Sequence, residues 1–326
     1  MRMEKVPQYP GHLDPLPLTN FTTTSAYDWK PRRSISPLLI SLFLITALLF
    51  NSKVYAQSIV RLEATTGAEW SNLKWAVAGN SNGSSPNIFS ELKWRELSGI
   101  NYNLSAAFKN RRMTYFFRTS FSPNLEGNVE DTDYGGDNRT NVQYQEVFSS
   151  NGGRMLRAET GVKVDLQRSN SMSVLQIKAG IRYRNQRLFL DQELNTVHSY
   201  YNSRWGGIFL GIEKSVLITD RIEMYLSAAA DLSDYDGYGN WELRTDLAHP
   251  KSFIHNAKGY GVNAGFKTDF QINRTMAITT NIEGWYTDTF IGKDILYFND
   301  GSSIPTQLNG VSSLALNASL GFTLTF

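Results

Sequence analysis

The C-terminal stretch LALNASLGFTLTF alternates without a break up to the last residue. Leu314, Leu316, Ala318, Leu320, Phe322, Leu324 and Phe326 fall on one parity, and Ala315, Asn317, Ser319, Gly321, Thr323 and Thr325 on the other. Successive side chains of a strand point to opposite faces, so this is a strand with one greasy face and one small, mostly polar face. A strand of a soluble sandwich rarely alternates for so long. The pattern returns upstream. In 260–272, Tyr260, Val262, Ala264, Phe266, Phe270 and Ile272 oppose Gly261, Asn263, Gly265, Lys267, Asp269 and Gln271. In 222–232, Ile222, Met224, Leu226, Ala228, Ala230 and Leu232 oppose Glu223, Tyr225, Ser227 and Asp231. Segments 174–184 and 156–166 set Leu175, Ile177, Ala179, Ile181, Leu156, Val162 and Val164 against Lys178, Arg182, Arg184, Arg157, Glu159, Lys163 and Asp165. Lipid on one face and water or packed polar groups on the other are what such a repeat reports.

The connections alternate in length. KNRR (109–112), RSNS (168–171), ITD (218–220) and NRT (273–275) are tight and polar, whereas the stretches around 80–86, 124–150, 191–204, 237–257 and 291–308 are rich in Gly, Asn, Asp and Ser. Short turns at one end and long loops at the other are the convention of transmembrane β-barrels, with the long loops outside the cell. Five long loops and four short turns join ten strands and put both termini on the periplasmic side. The expected fold is all-β: a ten-stranded antiparallel transmembrane barrel over 57–326. That is about 27 residues per strand and loop, against a minimal span of ~9–11, so the strands should overshoot the membrane. Trp70, Trp75, Trp94, Trp205, Trp241 and Trp285 are candidates for the interface or rim.

Residues 1–56 read separately. An apolar core at about 37–50 follows Lys30, Arg32 and Arg33 and precedes NSKVYAQ, which predicts a secretory signal cleaved after Ala56. This leader holds six Lys/Arg and three Asp/Glu, a net +3. The whole chain carries +2, so residues 57–326 carry −1, and no basic surface for nucleic acid is expected. Cysteine is absent, which excludes disulfides, a thiol nucleophile and a thiolate metal site.

A chain ending on Phe326 after an alternating strand resembles the insertion signal of bacterial outer-membrane barrels, which implies recognition by the barrel-assembly machinery and an outer-membrane lipid environment. Further segments resemble the omptins, ten-stranded outer-membrane proteases: SELKWRELSGINYNLSAAF (90–108), GNVEDTDY (127–134), FLGIEKSVLITDRIEMYLSAAADLSDYDGYG (209–239) and GYGVNAGFKTDFQINRTMAITTNIEGWY (259–286). Omptin chemistry needs an Asp-x-Asp pair facing an Asp-x-His pair. Asp131 and Asp133 match the first, but Asn240 and Glu242 stand where the second belongs. No Asp-x-His occurs anywhere in the chain. Asp246 lies three before His249, and only an irregular loop would bring them together. The resemblance therefore implies an omptin shape without proteolysis. The alternative is a divergent endopeptidase with Asp131 and Asp133 positioning the water and Glu242 as its base. A calcium loop at DTDYGGDN fails because its last ligand position is Val142; no metal and no cofactor is expected.

Omptins bind lipopolysaccharide on their outer face, and in YRNQR the spacing of Tyr183 and Arg187 matches theirs, although Asn185 replaces an acidic residue. The ELKWR and GGDNRT segments also resemble the Protochlamydia outer membrane protein family, which implies a small pore. Ten strands sit near the narrow end of barrels: roughly eight leave room for little but side chains, and wide channels need roughly 16–18. The charges expected inside are Arg157, Glu159, Lys163, Asp165, Lys178, Arg182, Arg184, Lys267, Asp269 and Glu283, joined by Glu223 and Asp231. Opposite signs among them should pair across strands and fill much of the interior.

Overall fold

A computed structural model of the chain describes residues 58–166, 172–191 and 198–326. The expected leader with its cleavage after Ala56, and the turn at 168–171, lie outside the described residues. The strands are β1 (Ser58–Val77), β2 (Ser90–Asn110), β3 (Met113–Gly136), β4 (Thr140–Asp165), β5 (Ser173–Asp191), β6 (His198–Thr219), β7 (Ile222–Asn240), β8 (Phe253–Gln271), β9 (Met276–Thr289), β10 (Gly292–Tyr297) and β11 (Ser303–Thr325). Each pairs antiparallel with its neighbours. The sheet closes on itself where β1 meets β11, from Arg61 opposite Thr325 to Val77 opposite Leu308. Closure leaves no open edge, which a bilayer requires because lipid offers unpaired backbone groups no partner. β9 and β10 both lie between β8 and β11 and occupy one position, interrupted at Phe290 and Ile291. Ten positions complete the ring.

The stretches expected as long loops are mostly strand. β3 continues to Gly136, and β4 resumes at Thr140 after a single 3-10 turn, Asp137–Arg139. β7 reaches Asn240, β8 starts at Phe253, and β10 and β11 run through most of 291–308. Turn-type residues are frequent there because the outer faces of these extensions meet water rather than lipid, while cross-strand pairing carries on regardless.

The two faces exchange character along each strand. On β1, Leu62 and Trp70 point outward and are 44% and 47% exposed, with Glu69 buried inside. A few residues on, Leu73, Trp75 and Val77 are buried inside, while Asn72 and Lys74 are exposed outside. β5 changes in the same way: Ile177 and Ile181 face outward around buried Lys178 and Arg182, then Leu188 and Leu190 turn inward. The outward apolar belt, with Leu210, Leu226, Leu232, Val262, Ile282 and Leu320 exposed, is the membrane-facing band of an outer-membrane barrel. Above it the barrel is built as in water, apolar inside and polar outside. This corrects the expectation for tryptophan. Only Trp70 is exposed at the belt edge; Trp75, Trp94, Trp205, Trp241 and Trp285 are buried, the first four within the apolar cluster that fills the upper barrel.

Candidate functional site

Four regions of the barrel carry polar or aromatic groups in numbers. The first is the mouth. Asp131 and Asp133 follow Val129 on the inner face of β3, Asp131 paired across to Leu92 and Glu146, and Asp133 to Ser90 and Tyr144. Residues i and i+2 of a strand share a face, so both carboxylates point the same way. Asp131 is buried, with no hydrogen-bond partner for Oδ1. Burial, then the charges of Asp133 and Glu146, hold its carboxyl well above the usual range. Burial also raises Asp133, against the Ser90 hydroxyl and the Arg244 charge.

The group that acts on Asp133 from the segment after β7 is therefore the guanidinium of Arg244. A guanidinium donates five N–H bonds and accepts no proton, so it cannot act as a base. Glu242 is exposed, accepts a hydrogen bond from Asn240 Nδ2 at 2.9 Å and bears on Tyr200. Asp246 binds Arg244 Nε at 2.8 Å, and His249 Nδ1 lies 2.9 Å from Asn240 Oδ1. The irregular loop thus gives Asp246 and His249 separate partners. Among the described residues no three His, Asp or Glu side chains converge to hold a metal ion.

Beneath the mouth lies the apolar plug. Trp94 stacks on Tyr201, and Tyr201 on Phe253, while Trp75 meets Tyr201, Phe253 and His255. Trp205 packs on Tyr235 and Trp241 on Phe253. At its centre sits one polar knot that sequence spacing could not reveal. His255 is wholly buried, its Nδ1 2.8 Å from the Tyr201 hydroxyl and its Nε2 3.3 Å from Asp294 Oδ1. Tyr201 and Tyr235 share a hydrogen bond, and Thr306 donates to Asp294 at 2.6 Å. His255 and Asp294 lie 39 positions apart and meet because β8 and β10 pair them directly.

Within the belt the lumen is filled by charge pairs. Arg157 bonds Glu69, with one contact at 3.1 Å, and lies 4.2 Å over the Trp285 ring. Arg182 reaches Glu159 and Asp231, at 2.9 and 2.8 Å, and Arg184 reaches Asp231 at 2.9 Å. Arg118 bonds Glu283, which also accepts from Asn263 at 3.0 Å. Below this layer Lys163 binds Glu213 at 2.6 Å, Lys267 binds Glu63 at 3.0 Å, Lys109 binds Asp165 at 2.8 Å and Arg61 binds Asp269. Lys178 has no such partner among the described residues. Arg61, Glu63, Lys109, Lys163, Lys178, Glu213 and Lys267 border a cavity of about 450 Å³ that extends to Ile59, Gln271 and Thr325, at the end of the barrel where β1 begins and β11 ends. Arg61, Glu63, Glu69, Arg118 and Glu213 join the charges expected inside; their signal is the alternation of β1, β3 and β6, plain in VRLEATTGAEW once Leu62 is set outside.

On the outer face of β5 to β7, just above the belt, Tyr183 and Arg187 share the parity of Ile181. Arg187 lies 4.6 Å over the Tyr200 ring and donates to the Tyr238 hydroxyl at 3.3 Å. Arg204 and Lys251 approach the Tyr238 ring at 5.7 and 5.5 Å.

Comparison with solved structures finds the same fold in the outer membrane protease OmpT of Escherichia coli. The match has 12% identity and a TM-score of 0.64, over 85% of this chain and 99% of that one. OprG of Pseudomonas aeruginosa matches at 12% identity over 82% and 95% of the chains, with a TM-score of 0.36, too loose to bear on this structure. No curated protein matches the chain. The sequence profile of the Protochlamydia outer membrane proteins matches residues 65–324, which span the barrel from β1 to β11. The chain belongs to the Protochlamydia outer membrane protein family, Pom.

Proposed function

We propose that this barrel is a closed, non-proteolytic surface protein of the outer membrane that holds the phosphate-bearing headgroup of lipopolysaccharide against β5 to β7. Its long extensions stand outside the cell and both termini face the periplasm. The observation that carries this reading is the outward cluster of Arg187, Arg204 and Lys251 around Tyr200 and Tyr238. It stands where the apolar belt gives way to polar surface, the level at which lipid phosphates lie. Arginine offers two parallel N–H donors to a phosphate, and the tyrosine rings hold the guanidinium in place before the lipid arrives. Tyr183 would contact the sugar or acyl boundary beside it. During assembly the exposed side chain of Phe326 would serve as the recognition residue for the barrel-assembly machinery.

The plug favours a closed lumen over a porin-like one, because Trp75, Trp94, Tyr201 and Phe253 pack ring against ring across it. The test is binding of lipopolysaccharide and of its dephosphorylated form to the detergent-solubilised chain, beside an Arg187→Ala/Arg204→Ala variant. Binding that needs both the phosphates and the arginines supports the reading. Equal binding by the variant removes it. Conductance in planar bilayers would restore the pore, and peptide cleavage abolished by Asp131→Ala/Asp133→Ala would restore the divergent endopeptidase.

A further inference from the structure

We infer that the cavity at the terminal end of the lumen is a binding site for a small carboxylate or phosphate, anchored by Lys178. Three observations converge on it. Lys178 is only 4% exposed, yet it makes no hydrogen bond or ion pair with any described residue. A buried ammonium without a partner is costly and calls for an anion. Its acidic neighbours are already engaged: Glu159 by Arg182, Glu213 by Lys163 and Glu283 by Arg118. Glu223, also on the wall, accepts from the Tyr225 hydroxyl.

The second observation is register. Lys163 on β4 and Lys178 on β5 are directly opposed, both facing inward. Like charges directly opposite on neighbouring strands destabilise a sheet. Glu213 neutralises one of the two, and a bound oxyanion would neutralise the other. The third is space. The cavity of about 450 Å³ is lined by Lys178, Lys163 and Lys267 together with Phe116 and Tyr225, a size in the usual range for small-molecule sites, roughly 300–1,000 Å³. The Arg118, Glu159 and Glu283 layer bounds it toward the plug, so a ligand enters from the end where β1 begins and β11 ends. This site is separate from the outer-face cluster and does not depend on it.

The experiment is isothermal titration of the full chain in non-ionic detergent, at low ionic strength and pH 7, with inorganic phosphate and separately with acetate. Saturable binding of either is expected, and the stronger of the two names the class. Lys178→Met should weaken it about tenfold or more, the scale of one lost charge-assisted contact, whereas Lys74→Met, on the exposed outer face, should leave it unchanged. A second measurement uses the unmodified protein: amine labelling at Lys178, followed by mass spectrometry, should slow when the bound anion is added. Absence of saturable binding, or unaltered affinity in a folded Lys178→Met barrel, overturns the site. If that variant does not fold, the labelling decides, and a Lys178 rate indifferent to both anions overturns it equally.

Discussion

Trp94 of β2 lies stacked on Tyr201 of β6, ring centroids 5.6 Å apart and planes 19° from parallel. Four strand positions separate them around the ring, so the contact crosses the lumen rather than following the wall. It belongs to an apolar cluster whose members come from nearly every strand. Removing either ring should therefore do two things together. Trp94→Ala should cost about 3–5 kcal/mol, the usual loss for a buried tryptophan, seen as a lower guanidinium midpoint in detergent. It should also open a gap where the plug was, raising bilayer conductance above that of the parent barrel. Loss of stability without conductance would mean that the remaining rings close the gap.

The Arg157–Glu69 pair makes a different prediction. Both side chains are buried within the belt, and two hydrogen bonds join them. Breaking a buried pair by removing one partner leaves an uncompensated charge and costs about 3–5 kcal/mol. Arg157→Met should show that loss. The double variant Arg157→Met/Glu69→Leu should recover most of it, because replacing both ions with apolar groups of similar volume is often neutral. A double variant no better than the single one would assign the loss to the packing of Arg157 on Trp285 instead.

Substitution on the outer wall should depend on height. Leu210, 63% exposed in the belt, should tolerate Arg badly, at about 2–4 kcal/mol near the bilayer midplane. Lys74→Arg, on the exposed outer face a few residues above the belt on β1, should change stability by no more than about 0.5 kcal/mol. Folding in lipid vesicles against denaturant reads both. Equal costs would mean that the apolar belt is misplaced.

That contrast marks where the sequence was legible. The alternation at 314–326, 260–272 and 222–232 assigned faces directly, because lipid allows only apolar residues outside and a long run of them records it. Beyond Trp70 and Tyr183 the same parity rule holds, but the solvent has changed. Trp75, Trp94 and Trp205 read as candidates for the interface or rim because an amphipathic ring suits either, and nothing local in the sequence says that the outside is now water. The meeting of His255 with Asp294 depends on the register of β8 against a broken strand, which no spacing encodes. The absence of Asp-x-His was legible; that Arg244 would act on Asp133 was not, since the segment carrying it is irregular.

The mouth aspartates set a pH dependence whose sign follows from their burial, since they stand above the belt in reach of the aqueous phase. Burial raises both carboxyls, and at Asp131 the charges of Asp133 and Glu146 add to it. In the unfolded chain each ionises near its ordinary value, ~3.9. Between that pH and the raised native value the folded state holds protons that the unfolded state has released, so stability falls as pH rises through the interval. The contribution is fully present below the ordinary value and lost above the raised one. Asp131→Asn removes the ionisable group at the more strongly shifted position while keeping its shape. The variant should therefore be more stable than the parent at pH 7, and the difference should vanish near pH 3. Denaturant midpoints of the two barrels across that range measure it directly. A variant weaker than the parent at neutral pH would show that the Asp131 carboxylate is held by an attractive partner, and its placement beside Asp133 and Glu146 would then need a cation to account for it.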